Sequence, residues 1–196
     1  MEHSFYPQYR GTYIQVDLDA VAHNVRLLKK ETAKDRHMLA VVKANAYGHG
    51  IVQVARVALE NGADYLGVAI PEEGETLRNA GITAPVLVLG GVNEKGAAAS
   101  VKMDLNKTAQ VHLKIDSGMG RIGVRSVEEV QAILGALEKC PHVQLTGAFT
   151  HFADADGEEE TYTVQQMALF DEMTALLPKG IVLHAAASAG SARFAQ

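Results

Sequence analysis

The sequence predicts an α/β fold in which parallel strands alternate with helices, closed into a barrel or left as an open sheet. Short apolar runs recur along the chain, at residues 38–42, 65–70, 86–89, 111–115, 145–149 and 181–184, and such runs suit strands buried on both faces. Most are separated by segments with helical spacing of apolar residues. Several of the runs end in polar, small-residue or glycine-rich text. That is the composition of the carboxyl ends of parallel strands, where α/β proteins gather their chemistry.

In order, the chain opens through Arg10 with a polar and aromatic arm lacking any period. Tyr13, Ile14, Val16 and Leu18 form a short extended segment, and Asp19 is a plausible N-cap for a helix that turns Val21, Val25 and Leu28 inward. Asp17 and Asp19 could pair as acids, but capping accounts for Asp19 more simply. Residues 38–50, MLAVVKANAYGHG, form a strand that delivers Lys43 into a loop, where Gly48 and Gly50 free the backbone to turn. Ile51, Val54, Ala55, Ala58 and Leu59 then recur at helical spacing, and Asn61-Gly62 ends that helix.

After the strand at 65–70, Pro71 at the first helical position and Glu72 and Glu73 in the first turn start a helix that Gly81 stops. The strand at 86–89 runs into Gly90-Gly91, and from Val92 to Gln110 no strand-like stretch follows. The strand at 111–115 leads to a helix whose start Ser126 and Glu129 mark as a capping box. The strand at 145–149, an acidic solvated loop at 154–160, a helix from about 162 to 177 and a strand at 181–184 complete the chain. No long flexible linker divides it, so residues 1–196 read as one domain.

A net charge of −5 gives no basic face for nucleic acid, and no apolar run is long enough to cross a bilayer. One cysteine, Cys140, cannot form an internal disulfide, and no signal peptide is evident, which points to the cytoplasm. A soluble protein handling a small molecule is expected, and no metal-ligand spacing occurs.

The lysine at a strand exit beside Asn45, Tyr47 and His49 is a candidate catalytic amine, although a lone lysine there is more often a solvated charge. KANAYGHG resembles the signature of alanine racemase, a fold-type III enzyme that uses pyridoxal 5'-phosphate (PLP). The resemblance implies that Lys43 carries PLP as a Schiff base and acts as the base for the D enantiomer, and that Tyr47 binds the cofactor phosphate. His49 reads as a turn or packing residue.

A second string, Lys114-Ile-Asp-Ser-Gly-Met-Gly-Arg121-Ile-Gly, leaves its strand in the same way and is similar to a second racemase motif. The resemblance gives Arg121 the PLP phenolic oxygen and the substrate carboxylate. Lys114 would be carbamylated and would orient that arginine, since a carbamate accepts hydrogen bonds where an ammonium would repel. His151, after the strand at 145–149, is placed by resemblance near the cofactor ring, and Ser188 near its phosphate. Ala187 stands where the family has asparagine.

The resemblance further implies a TIM-like (β/α) barrel, here incomplete, with about six of eight strands and roughly one strand-helix unit absent around Leu105-Asn106. At 196 residues the chain falls just below the short limit of roughly 200 for such barrels. The family's C-terminal β domain, which brings a catalytic tyrosine to the partner subunit, has no counterpart in this sequence, and racemisation needs two bases on opposite faces of Cα. Three readings follow: a racemase interconverting L- and D-alanine for peptidoglycan, a PLP-binding barrel without turnover, or a fragment without chemistry. Exposed strand edges predict a homodimer or higher self-association.

Overall fold

A computed structural model of the chain describes residues 11, 13–32, 34–93, 95–98, 108–158, 160–185 and 190. It is α/β, with six parallel strands among the described residues, and divides into two compact units. One comprises residues 1–30 and 36–91, the other 31–35 and 92–196. The lack of a flexible linker in the sequence does not reveal this division.

The first unit runs α1 (Leu18–Glu31), β1 (Leu39–Val41), a short turn of helix α2 (Lys43–Tyr47), α3 (Ile51–Glu60), β2 (Tyr65–Val68), α4 (Pro71–Asn79) and β3 (Val86–Val88). Its strands lie in the order β1-β2-β3, and the ladder sets Leu39 against Tyr65 and Leu66 against Val86. Each strand joins the next through helix, as parallel pairing requires. A core of Val42, Ala46, Ile51, Ala55, Leu66, Val68, Leu77 and Ile82 fills the space between sheet and helices. Leu66 and Leu77 are wholly buried, and each contributes about 1.5–3 kcal/mol by leaving water. At Gly67 in β2 an added Cβ would stand 2.8 Å from Leu39 Cδ2, and that side chain would have to shift.

Two local expectations change. Asp17, not Asp19, caps α1: its Oδ1 accepts the amides of Asp19 at 2.9 Å and Ala20 at 3.0 Å. Asp19 sits in the first turn, where its charge suits the helix dipole. The segment before it joins no ladder, and Tyr13 and Ile14 are exposed.

The second unit runs β4 (Ala109–Lys114), α5 (Val127–Leu137), β5 (Val143–Phe149), α6 (Thr161–Thr174) and β6 (Val182–His184), with strand order β4-β5-β6. Leu113, Ile115, Val130, Ala148, Phe170, Met173 and Leu177 form its core. Ser126 caps α5 by accepting the Glu129 amide, and Glu129 answers by accepting the Arg125 amide at 2.6 Å. The predicted box therefore closes one residue further back than the standard form, in which the glutamate takes the cap residue's own N–H. The β4–β5 ladder slips between Val111 and His112, so that Thr146 is passed over and His112 faces Gly147.

Candidate active site

β1 hands the chain directly to Lys43, and the residues after it are wound left-handed. Ala44, Asn45, Ala46 and Tyr47 have φ of 52, 55, 51 and 54°. For residues with a Cβ this conformation costs about 1–2 kcal/mol each, and of the four only Asn45 belongs to a type that visits it readily. The sequence places the turning at Gly48 and Gly50. Both do have positive φ, but the reversal begins four residues earlier, in side-chain-bearing residues.

Several hydrogen bonds hold this turn. The Ala46 amide donates to Val42 O at 2.8 Å, and the Gly50 amide to Asn45 O at 2.9 Å. Asn45 Oδ1 accepts the amide of Ile51 at 2.9 Å, so that its side chain caps α3 while its backbone serves the turn. His49 Nδ1 lies 2.9 Å from Ala46 O, in keeping with a turn residue. From α4, Glu73 accepts the Ala44 amide at 2.6 Å and the Ala69 amide at 2.7 Å. Ala46 is buried in the core, whereas Tyr47 at the end of the turn is 63% exposed and Lys43 is half-buried.

In the second unit, the loop leaving β4 carries Arg121. Asp116 anchors it: its Oδ1 accepts the Gly120 amide at 2.8 Å and the Gly118 amide at 3.3 Å, and its Oδ2 accepts Arg125 Nε at 3.0 Å. Burial pushes the Asp116 carboxyl up, but these amides and the Arg125 guanidinium outweigh it and hold the group below the usual carboxylate range. The loop then returns to β4. Val124 N–H donates to Lys114 O at 3.0 Å and Asp116 N–H to Val124 O at 2.8 Å. Gly123 makes the return possible, since at φ 118° a Cβ would meet Lys114 O at 2.7 Å. Arg121 itself is exposed.

Lys114 ends β4 with Nζ donating to Ile115 O at 2.7 Å and lying 5.5 Å from the Phe149 ring centroid. Burial lowers its pKa, Asp116 opposes that, and the Arg121 guanidinium lowers it further. A larger fraction of neutral amine results, which is the form that reacts with carbon dioxide.

His151 follows β5 and is half-buried. Its carbonyl accepts Gln166 Nε2 at 3.3 Å. Gln166, 1% exposed, also takes the Ala153 amide on Oε1 at 2.9 Å and reaches Ser117 Oγ at 3.5 Å. Ser117 in turn shares a 2.7 Å hydrogen bond with Thr150 Oγ1. One glutamine thus ties the His151 segment to the loop after β4. Ser188 and Ala187 lie outside the described residues, as do Leu105 and Asn106.

The structure therefore sets Lys43 and Tyr47 on one strand exit of the first unit, and Lys114, Arg121 and His151 on neighbouring strand exits of the second. Sequence reasoning missed Glu73, Asp116 and Gln166 as the groups that hold these segments. Glu73 is visible only as a first-turn acid and Gln166 only as a polar residue on a helix. In the first unit, an amine and a phenol on one strand exit suit an aldehyde that bears a phosphate. Among the described residues, no group of three or more His, Cys, Asp or Glu side chains could hold a metal ion.

The chain matches the family described as alanine racemase, N-terminal domain, over residues 16–108 and 97–196. It is 40% identical to alanine racemase 1 of Bacillus subtilis over 206 residues, covering 95% of this chain and 53% of that protein. Alanine racemase of Geobacillus stearothermophilus is 42% identical, again over 95% of this chain and 53% of the relative. The solved structure of the Bacillus anthracis alanine racemase with bound L-Ala-P superposes with a TM-score of 0.87 at 40% identity, covering 96% of this chain and 55% of that one. This chain spans about half the length of the curated relatives it matches.

Proposed function

Since the chain belongs to the alanine racemase N-terminal domain family, we propose that residues 1–196 form a PLP-binding (β/α) barrel portion that acts on alanine at Lys43. The observation that supports this most is the lysine turn. A half-buried amine leaves a parallel strand into a backbone conformation that is costly to build, and such costs are characteristic of functional sites.

In this reading Lys43 would hold the cofactor by its aldehyde, and the lysine amine, once displaced by the substrate amine, would take the proton from Cα of D-alanine or return it on the same face. Bound PLP would supply an electron sink that makes the substrate Cα–H acidic. Tyr47 donates its hydroxyl to the cofactor phosphate, with Ser188 as a further phosphate ligand. Arg121 pairs with the substrate carboxylate, and Lys114, as a carbamate, accepts hydrogen bonds from Arg121 and fixes its direction. His151 orients groups beside the ring.

Full racemisation requires a second base on the opposite face, which the resemblance assigns to a tyrosine from a partner subunit. Self-association, a place in D-alanine supply for peptidoglycan and a cytoplasmic setting belong to the same proposal. No helix among the described residues is long and apolar enough to cross a membrane.

The test is proton exchange at Cα. With PLP in deuterated water, the chain is expected to exchange the Cα proton of D-alanine, and Lys43→Ala to abolish that exchange. Capture of PLP without exchange of either enantiomer would replace the catalytic reading with that of a PLP-binding protein.

A further inference from the structure

Glutamate at the third position of a helix ordinarily folds back onto the N–H of its own cap residue. Glu73 does not. Its two carboxylate oxygens go instead to the Ala44 amide at 2.6 Å and the Ala69 amide at 2.7 Å. Ala69 directly follows β2, and Ala44 is the first of the left-handed residues after Lys43. One carboxylate thus joins the exits of two neighbouring strands, through two short charge-assisted hydrogen bonds.

The Lys43–Ala44 peptide plane fixes where the lysine side chain departs from the backbone. That plane begins a run of four residues that, unrestrained, would favour right-handed conformations. The remaining hydrogen bonds of the turn come from its own neighbours, between Val42 and Ile51. Glu73 is the side chain from another helix that grips the start of the turn.

We infer that Glu73 is a positioning residue for Lys43. It sets the direction of the amine, and its spacing from the Tyr47 phenol, by holding the Ala44 amide against the exit of β2. The inference rests on the reading of Lys43 as the reactive amine, but the restraint on that amine exists without any cofactor. Glutamine preserves shape and one acceptor oxygen, yet turns its NH2 toward the other amide, so Glu73→Gln breaks one of the two bonds with little change in packing. Aspartate retains the charge on a stem one methylene shorter, and cannot span both amides.

The experiment is competitive acetylation of the full chain without cofactor, in which the rate at Lys43 is read by peptide mass spectrometry against Lys139 as internal reference. Alongside it, PLP capture at Lys43 is trapped with borohydride, and amide exchange is followed across residues 43–50. Glu73→Gln is expected to change the Lys43 acetylation rate and to slow PLP capture, each by about tenfold, as befits the loss of one charged hydrogen bond. Protection of the Ala44 amide should fall, while the Lys139 rate stays near the parent's. Glu73→Asp should resemble Glu73→Gln, which separates bridging geometry from charge.

Unchanged Lys43 acetylation and an unchanged Ala44 amide in both variants would overturn the inference. If the parent chain captured no PLP while Lys43 acetylation still responded to Glu73→Gln, the cofactor reading would fall and the positioning role would stand.

Discussion

Nδ1 of His112 lies 2.8 Å from Nε2 of His184, so that imidazoles from β4 and β6 meet across the middle strand β5. They meet because β5 presents Gly147 at that point. His184 also stacks on Phe149 with ring centroids 4.9 Å apart and planes 5° from parallel. A single proton between the rings satisfies both nitrogens, whereas two charged rings would repel.

Burial lowers the pKa of both histidines, and the neighbouring His112 adds to the effect on His184, which falls to about 4. With the folded value below the unfolded 6.5, the unfolded chain binds more protons in the interval between them. The stabilisation is therefore complete above the unfolded value and is lost as pH falls toward the folded one. For His184 it amounts to at most about 3 kcal/mol. Urea unfolding between about pH 7 and pH 4 should show stability falling with acid, and His184→Gln should flatten that slope. Equal slopes in the two proteins would count against the assignment.

Gly147→Ala would place a Cβ 2.6 Å from His112 Cε1 and 2.7 Å from both ring nitrogens. The rigid ring cannot yield within the strand, so a loss of about 1–3 kcal/mol is expected by chemical denaturation, typical of overpacking. The pH dependence assigned to the pair should weaken with it.

Gln166→Leu keeps the volume of α6 but strips partners from the Ala153 amide, the His151 carbonyl and Ser117 Oγ. Each such hydrogen bond contributes about 0.5–1.5 kcal/mol net, so a loss of roughly 1–3 kcal/mol in urea is predicted. Gln166→Glu restores the acceptor for Ala153 and should recover part of it.

Lys114, with its pKa lowered by burial and by Arg121, should take up carbon dioxide more readily than exposed lysines. Labelled bicarbonate should give a carbamate signal by carbon NMR that Lys114→Ala removes. A signal that survives in Lys114→Ala would assign it elsewhere.

Much of the fold is legible because its signals are local. Pro71 and the two acids after it do start α4, and the apolar runs at 65–70 and 111–115 do contain β2 and most of β4. The exit lysine and the Asp116–Gly123 loop are visible for the same reason, since glycines mark both. The left-handed turn is not, because Ala44, Ala46 and Tyr47 are ordinary helix or strand residues that carry no local signal for that conformation. Glu73 lies 29 residues from the amide it holds, and Gln166 49 residues from Ser117. His112 and His184 are 72 apart, and nothing local to either announces the other. Asp17 and Asp19 compete for one helix start, and only the backbone geometry decides which of them caps it.

Lys43, at the mouth of β1, is the amine proposed to bind the cofactor. The visible absorption spectrum of the purified chain with added PLP, beside that of Lys43→Ala, tests it most directly. A visible band is expected that forms with the parent chain, becomes fixed on Lys43 by borohydride and is absent from the variant. An equal band in Lys43→Ala, or none in either protein, would contradict it.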